Sequence, residues 1–282
     1  MIPAAFQYQR PASVEEALRA LSDTSGGAKV IAGGQSLLPL LKLRLASADT
    51  LIDIGRLAEL KAQGPTADGG YEVGALVTYA ELIKATSLSW AAEGMEHIGD
   101  VQVRNRGTAG GSIAHCDPAS DLPAMGLALD YSVVLRSGRG ERTVPLDGFF
   151  EGPFETGMAS DELLIKIVRG PLPAGATGAY RKLAQPASGY SIVGVAVVIA
   201  MDGGTVSHAR VALTGVGEAP YRAVAVEAAL VGSDGGPAAV AAAAAHATNG
   251  QTVGSDIHAD REYRTQMAAV YTRRAIEGAL GR

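Results

Sequence analysis

The sequence predicts an α+β protein of two domains, and three features carry that expectation. At 282 residues, 47% apolar and 19% charged, the chain is long enough for more than one core and too apolar to be mostly disordered. Residues 7–54 run strand, helix, strand, loop, strand, the texture of a small βαβ-type unit. Residues 179–280 instead place three strand-like runs before three helical ones, beyond a Pro- and Gly-rich linker, Gly170 to Gly178, that marks the main boundary. The expected division is 1–174, itself split near residue 56 into 1–56 and 57–174, followed by a smaller C-terminal domain, 175–282.

Phe6-Gln7-Tyr8 alternates as a short strand does. Ser13 precedes Glu16 by three residues, the spacing of a capping box, and Val14, Ala17, Leu18 and Leu21 recur at helical spacing until Gly26-Gly27. Lys29 to Ala32 reads as a strand, and Leu37 to Leu45, interrupted by Pro39, Lys42 and Arg44, as a short helical turn or irregular segment. Thr50 to Ile54 is a third strand, ended by Gly55. Beyond Gly70, Tyr71 to Gly74 has strand character, Thr78 starts a capped helix, and Trp90 to Ile98 forms another. Pro123 to Leu129 reads as a helix, Tyr131 to Arg136 and Glu141 to Val144 as paired strands, and Asp161 to Val168 as a strand. After the linker, Ala179 to Leu183, Ile192 to Met201 and His208 to Thr214 suit an antiparallel sheet. Ala223 to Val231, Ala238 to His246 and Glu262 to Leu280 read as helices, the alanine run being a packed helix because alanine is the best helix former.

Two glycine stretches organise the chemistry: Ala32-Gly33-Gly34-Gln35-Ser36-Leu37 and Thr108-Ala109-Gly110-Gly111-Ser112. Paired glycines admit tight turns and close approach of another group to the main chain. Backbone N–H groups, with the hydroxyls of Ser36, Thr108 and Ser112, suit a diphosphate bound without a lysine. Asp117 and Asp121 add acceptors for ribose or flavin polar groups. The competing reading of each stretch is an ordinary turn whose hydroxyl caps a helix.

Other chemistries find little support. No phosphate-loop, Rossmann, zinc-protease or nucleophile-elbow signature is present. His115 beside Asp117 offers two metal ligands and no third. Cys116, the only cysteine, reads as a small buried thiol; one thiol can form no internal disulfide and no iron–sulfur site. A net charge of −5 disfavours a nucleic-acid partner. No apolar run approaches the ~20 residues of a membrane span, and residues 1–10 lack a signal-peptide pattern, so a cytoplasmic protein is expected.

Ala32 to Pro39, Arg104 to Ser112 and Asp117 to Pro123 together resemble the FAD-binding medium subunit of molybdenum hydroxylases, in the branch of carbon monoxide dehydrogenase. Phe149 to Thr156, Asp161 to Leu164, Arg181-Lys182 and Gly215-Val216-Gly217 extend the match in order over essentially the whole chain. The resemblance implies a FAD domain of the vanillyl-alcohol-oxidase (PCMH) type in two subdomains, then a smaller domain of antiparallel sheet plus helices. It implies that Ala32, Gly33, Gly34, Gln35, Ser36 and Leu37, with Thr108, Ala109, Gly110, Gly111 and Ser112, surround the pyrophosphate. Asp121 would lie by the flavin or its ribityl chain, Leu163 and Leu164 near the ring, and Lys182 by its polar edge. Tyr190 matches an aromatic position that covers the ring, though an ordinary strand tyrosine is an equal reading. Gln35 stands where many relatives have His, and Ala109 where Ile is usual. The implied assembly is a dimer of heterotrimers, in which a large subunit holds the molybdenum cofactor and a small one holds two [2Fe-2S] clusters. This chain would take electrons from the clusters and pass them to an external acceptor. A self-contained flavin oxidoreductase and a non-catalytic nucleotide-binding assembly subunit remain as other readings. Carbon monoxide, a purine and other N-heterocycles all stay open as the substrate of the whole enzyme.

Overall fold

The computed structural model describes residues 2–24 and 27–282. The first unit comprises β1 (Gln7–Gln9), α1 (Val14–Ser22), β2 (Ala28–Ile31), α2 (Leu37–Leu43) and β3 (Thr50–Asp53). Its strands are parallel in the order β1-β3-β2, with Gln7 and Ala28 both level with Thr50. Helix α1 buries Val14, Ala17 and Leu18 in a core with Ile52 and Ile54. Half of the expected capping box forms. The Ser13 hydroxyl accepts the Glu16 N–H, but the Glu16 carboxylate accepts from Ala12 rather than from Ser13. The predicted stop at Gly26 lies outside the described residues; the helix is capped at Asp23. Helix α2 stays short for a local reason. Pro39 sits in its first turn, where a missing N–H costs little, and Arg44 ends it in the left-handed region at φ 59°.

The second unit begins with a 3₁₀ turn at Ala58–Leu60 and continues through β4 (Gln63–Pro65), β5 (Tyr71–Gly74), α3 (Tyr79–Ala85), α4 (Ser89–Glu96), α5 (Val101–Arg104), α6 (Ala109–His115) and α7 (Asp121–Ala128). Then come β6 (Ser132–Ser137), β7 (Gly140–Pro145), the small β8 (Phe150–Gly152) and β9 (Glu155–Thr156), and β10 (Leu163–Arg169). Five of these strands form an antiparallel sheet, β4-β5-β10-β6-β7. Consecutive residues of β10 leave on opposite faces, so Leu163 enters the core of the first unit and Leu164 the core beneath the helices.

The third unit is a four-stranded antiparallel sheet of β11 (Thr177–Ala184), β12 (Ser191–Asp202), β13 (Thr205–Thr214) and β14 (Tyr221–Arg222), followed by α8 (Val224–Leu230), α9 (Pro237–Ala244) and α10 (Arg261–Ala279). Strand β11 starts inside the predicted linker. Both faces of this sheet are buried, and strand alternation divides them. Val193, Val195, Val197 and Ile199 face the C-terminal helices, whereas Ala196, Val198 and Tyr180 join the core of the second unit. Helix α7 packs against β12 and β13, and every one of its residues is buried. A helix with no polar face belongs inside a core, and here it joins two domains. Among the described residues, no helix is long and apolar enough to cross a membrane.

Leu213, 0% exposed on β13, is the test of this core. Leu213→Ala is expected to lower unfolding stability by about 2–5 kcal/mol in urea denaturation. Leu45→Ala, at a position 72% exposed, should stay within about 0.5 kcal/mol.

Candidate functional site

The two glycine stretches meet. A Cβ on Gly33 would collide with the carbonyl of Arg106 and come within 3.1 Å of the Gly107 Cα, so the turn after β2 lies directly against the turn that enters α6. That second turn is fixed by a bridge between Thr78 and Thr108 and by the Tyr79 N–H donating to the Gly107 carbonyl. The ring of Tyr79 covers Gly107 closely enough that a side chain there would meet it at 2.7 Å.

The stretches differ in what they offer a ligand. In the first, Gly34 adopts φ +75°, and no acceptor among the described residues meets the N–H groups of Gly33, Gly34, Gln35 or Ser36. Ser36 also makes no hydroxyl bond capping α2, contrary to the competing reading in which it caps a helix. Gln35 is exposed and folds its amide back to the Gly33 carbonyl at 3.3 Å. A run of unpaired backbone donors at a partly open surface suits an anion.

The second stretch is not a loop, because Ala109, Gly110 and Gly111 already lie in α6. Their amides are taken: Ala109 donates to Val77 at 2.8 Å, Gly110 to Ala75 at 3.0 Å, and Gly111 to the Thr108 hydroxyl at 3.2 Å. A Cβ on Gly110 would sit 2.5 Å from that of Ala75, so this glycine permits helix-to-strand approach rather than freeing an amide. The expectation that both stretches present amides to a diphosphate is therefore corrected at the second, where the amides of Ala109, Gly110 and Gly111 are already paired. The Ser112 hydroxyl lies 2.9 Å from that of Ser120. Burial raises the Tyr79 pKa.

Asp121 and Lys182, expected as flavin contacts, form a buried pair at 2.8 Å with side chains 5% and 6% exposed. Asp121 also accepts from the Tyr180 hydroxyl at 2.5 Å and the Ser191 hydroxyl at 2.7 Å, and Lys182 donates to the His97 carbonyl at 3.1 Å. Asp121 is thus an acceptor already supplied with three donors. Burial, and then the Asp121 charge, raises the Tyr180 pKa well above its ordinary value, which keeps the phenol a donor. Gly194 makes the space: a Cβ there would run into the Tyr180 hydroxyl and come within 2.7 Å of Thr214. Around this knot, the Thr214 hydroxyl meets the Pro118 and Ser120 carbonyls at 2.8 and 2.9 Å, and the Gly215 amide meets Pro118 at 2.7 Å. The segment 117–121 is stitched to the end of β13.

The remaining predicted residues vary. Asp117 is half-buried and spends one oxygen on the Ala119 amide at 2.9 Å. Tyr190 is 48% exposed in the hairpin between β11 and β12, its pKa raised by partial burial and by Asp117 and Asp121. Leu163 and Leu164 are buried side chains of two different cores. Cys116 is buried with a left-handed backbone at φ 48°, and burial pushes its thiol up to about 11. Among the described residues, no three His, Cys, Asp or Glu side chains gather as metal ligands. Sequence reasoning missed Tyr180, Ser191, Gly194 and Thr214. One signal was available, since Tyr180 and Lys182 are two apart on a strand and share a face.

Asp121→Ala should cost about 3–5 kcal/mol of stability by stranding the Lys182 charge, with partial recovery in Asp121→Ala/Lys182→Met, as read by urea denaturation. The Cys116 thiol, protonated well past neutrality, should resist iodoacetamide at pH 8 in the native chain and react fully in urea, as read by mass spectrometry.

Residues 4–171 match the family model described as the FAD binding domain in molybdopterin dehydrogenase, and residues 178–279 that of the CO dehydrogenase flavoprotein C-terminal domain. The chain is 41% identical to the carbon monoxide dehydrogenase medium chain of Hydrogenophaga pseudoflava, covering 100% of this chain and 99% of that one. It is 35% identical to the glyceraldehyde dehydrogenase medium chain of Sulfolobus acidocaldarius, covering 98% and 99%. A solved carbon monoxide dehydrogenase from Hydrogenophaga pseudoflava, which lacks the Mo-pyranopterin moiety of its molybdenum cofactor, superposes with a TM-score of 0.96 at 41% identity, over 100% of this chain and 99% of that chain. By sequence and by fold over its whole length, the chain belongs to the family of FAD-binding medium subunits of molybdenum hydroxylases.

Proposed function

We propose that this chain is the electron-transfer subunit of a heteromeric molybdenum hydroxylase, with FAD held at the contact of the two glycine stretches. The observation that carries the reading is the run of unpaired amides at Gly33, Gly34, Gln35 and Ser36, held against the entry to α6. These N–H groups and the free Ser36 hydroxyl bind the diphosphate, since no cation is needed for backbone donors to hold an anion. Thr108 to Ser112 form the wall against which that turn is pressed. Asp117 keeps one carboxylate oxygen for a ribose or ribityl hydroxyl, and half-exposed Tyr190 is free to lie over the ring. Asp121 and Lys182 act from beneath: as a charge pair they hold the β11–β12 hairpin, and with it Tyr190, against segment 117–121.

FAD bound there supplies the redox chemistry of the subunit, and the protein supplies position and electrostatics. With a single cysteine the chain holds no iron–sulfur cluster, which fits two [2Fe-2S] clusters on a small partner and a molybdenum cofactor on a large one, in a dimer of heterotrimers in the cytoplasm. The FAD-binding unit would span 1–174 and the C-terminal domain 175–282. Relatives named for carbon monoxide and for glyceraldehyde match over their full lengths. We therefore assign substrate choice to the large partner.

A titration with FAD, followed by flavin fluorescence, tests this. Saturable binding is expected, at least tenfold weaker for FMN, which lacks the diphosphate, and at least tenfold weaker in Gly33→Val. Gly138→Val, at a position where a side chain meets nothing within 4 Å, should bind like the parent. If neither the lone chain nor its co-expressed complex takes up FAD, the reading fails.

A further inference from the structure

A cavity of about 40 Å³ enters the second unit between the turn joining α3 to α4, at Thr86 and Ser87, and the end of β10. Its floor is apolar, reaching Ile113 of α6 and Met125 of α7. Arg169 stands in its lining. One arm of the guanidinium donates to the Gly170 carbonyl at 2.9 Å, but Nε is buried and has no hydrogen-bond partner. The rings of Tyr71 and Tyr131, also in the lining, flank it at 5.9 and 6.0 Å, fixing its plane. No Asp or Glu lines the cavity.

We propose that this cavity binds a short-chain monocarboxylate, its carboxylate on Arg169 and its hydrocarbon against Ile113 and Met125. A guanidinium with an unspent buried donor pairs planar two-oxygen anions through its fork. The lining is mostly apolar, with hydroxyls only from Tyr71, Thr86, Ser87 and Tyr131, and it has no second cation, which favours a singly charged ligand polar at one end. A volume of about 40 Å³ accommodates roughly three water-sized groups, so the tail beyond the carboxylate has about three carbons. Butyrate has both properties. Its lining includes no residue of either glycine stretch, and the proposal does not depend on the flavin assignment.

The test is calorimetric titration of the full chain with butyrate, with 1-butanol and methylphosphonate as controls. Saturable butyrate binding is expected. It should be at least tenfold tighter than for either control, and lost in Arg169→Gln and in Ala91→Leu, which fills the cavity while keeping the cation. Circular dichroism checks that both variants are folded, and FAD affinity should be unchanged in Ala91→Leu. Absence of butyrate binding up to tens of millimolar, equal binding of butanol, or retention of binding in folded Ala91→Leu would each overturn the proposal.

Discussion

The structure depends on one buried ion pair, Asp121 with Lys182, and on the neutral donors that complete it. Removing two charges from water is costly, and attraction between them offsets the cost only when the remaining lone pairs are satisfied. Here the Tyr180 and Ser191 hydroxyls satisfy Asp121, and the His97 carbonyl takes a proton of Lys182. Asp121 is also the first residue of α7, where a negative charge is favoured by the helix dipole. The partners come from three separate parts of the chain, so the pair forms only when α4, α7 and the β11–β12 sheet are all in place. It specifies how the C-terminal domain sits on the rest.

The glycines show how one residue type serves unlike ends. Gly33 and Gly34 leave amides with no acceptor among the described residues at an open turn, which suits an anion. Gly110 has spent its amide and lets α6 settle on Ala75, a property of packing. Gly194 does neither; its missing side chain leaves room for the polar knot around Asp121. A ligand-binding glycine is told from a packing glycine by where its N–H goes, and that requires the fold.

Much of this was readable in advance. Helical spacing identified α1, the strand-like runs of β12 and β13 were legible, and the capped helix start at Thr78 forms as a capping box with both of its bonds, because each of these depends on neighbours in sequence. Helix α6 was read as a loop because two adjacent glycines disfavour helix locally; the anchoring of Ala109 and Gly110 to Val77 and Ala75 overrides that preference. Asp121 and Lys182 were singled out as cofactor contacts on resemblance, and their pairing across 61 residues left no local trace. Long-range polar pairing is what a single sequence hides most completely.

Helix α7 ties these strands together. An amphipathic helix has one side to bury and can be placed against any apolar surface, whereas one buried on every side needs several surfaces at once. Asp121 at its start answers the C-terminal sheet. Leu122 and Met125 join the core beneath the five-stranded sheet and line the cavity under Arg169. Segment 117–121 before it, held by Thr214, lies within hydroxyl contact of α6 through Ser120 and Ser112. A displacement of this helix would therefore disturb the charge pair, the cavity floor and the wall of the glycine site together. That shared dependence ties the wall of the glycine site to the third unit.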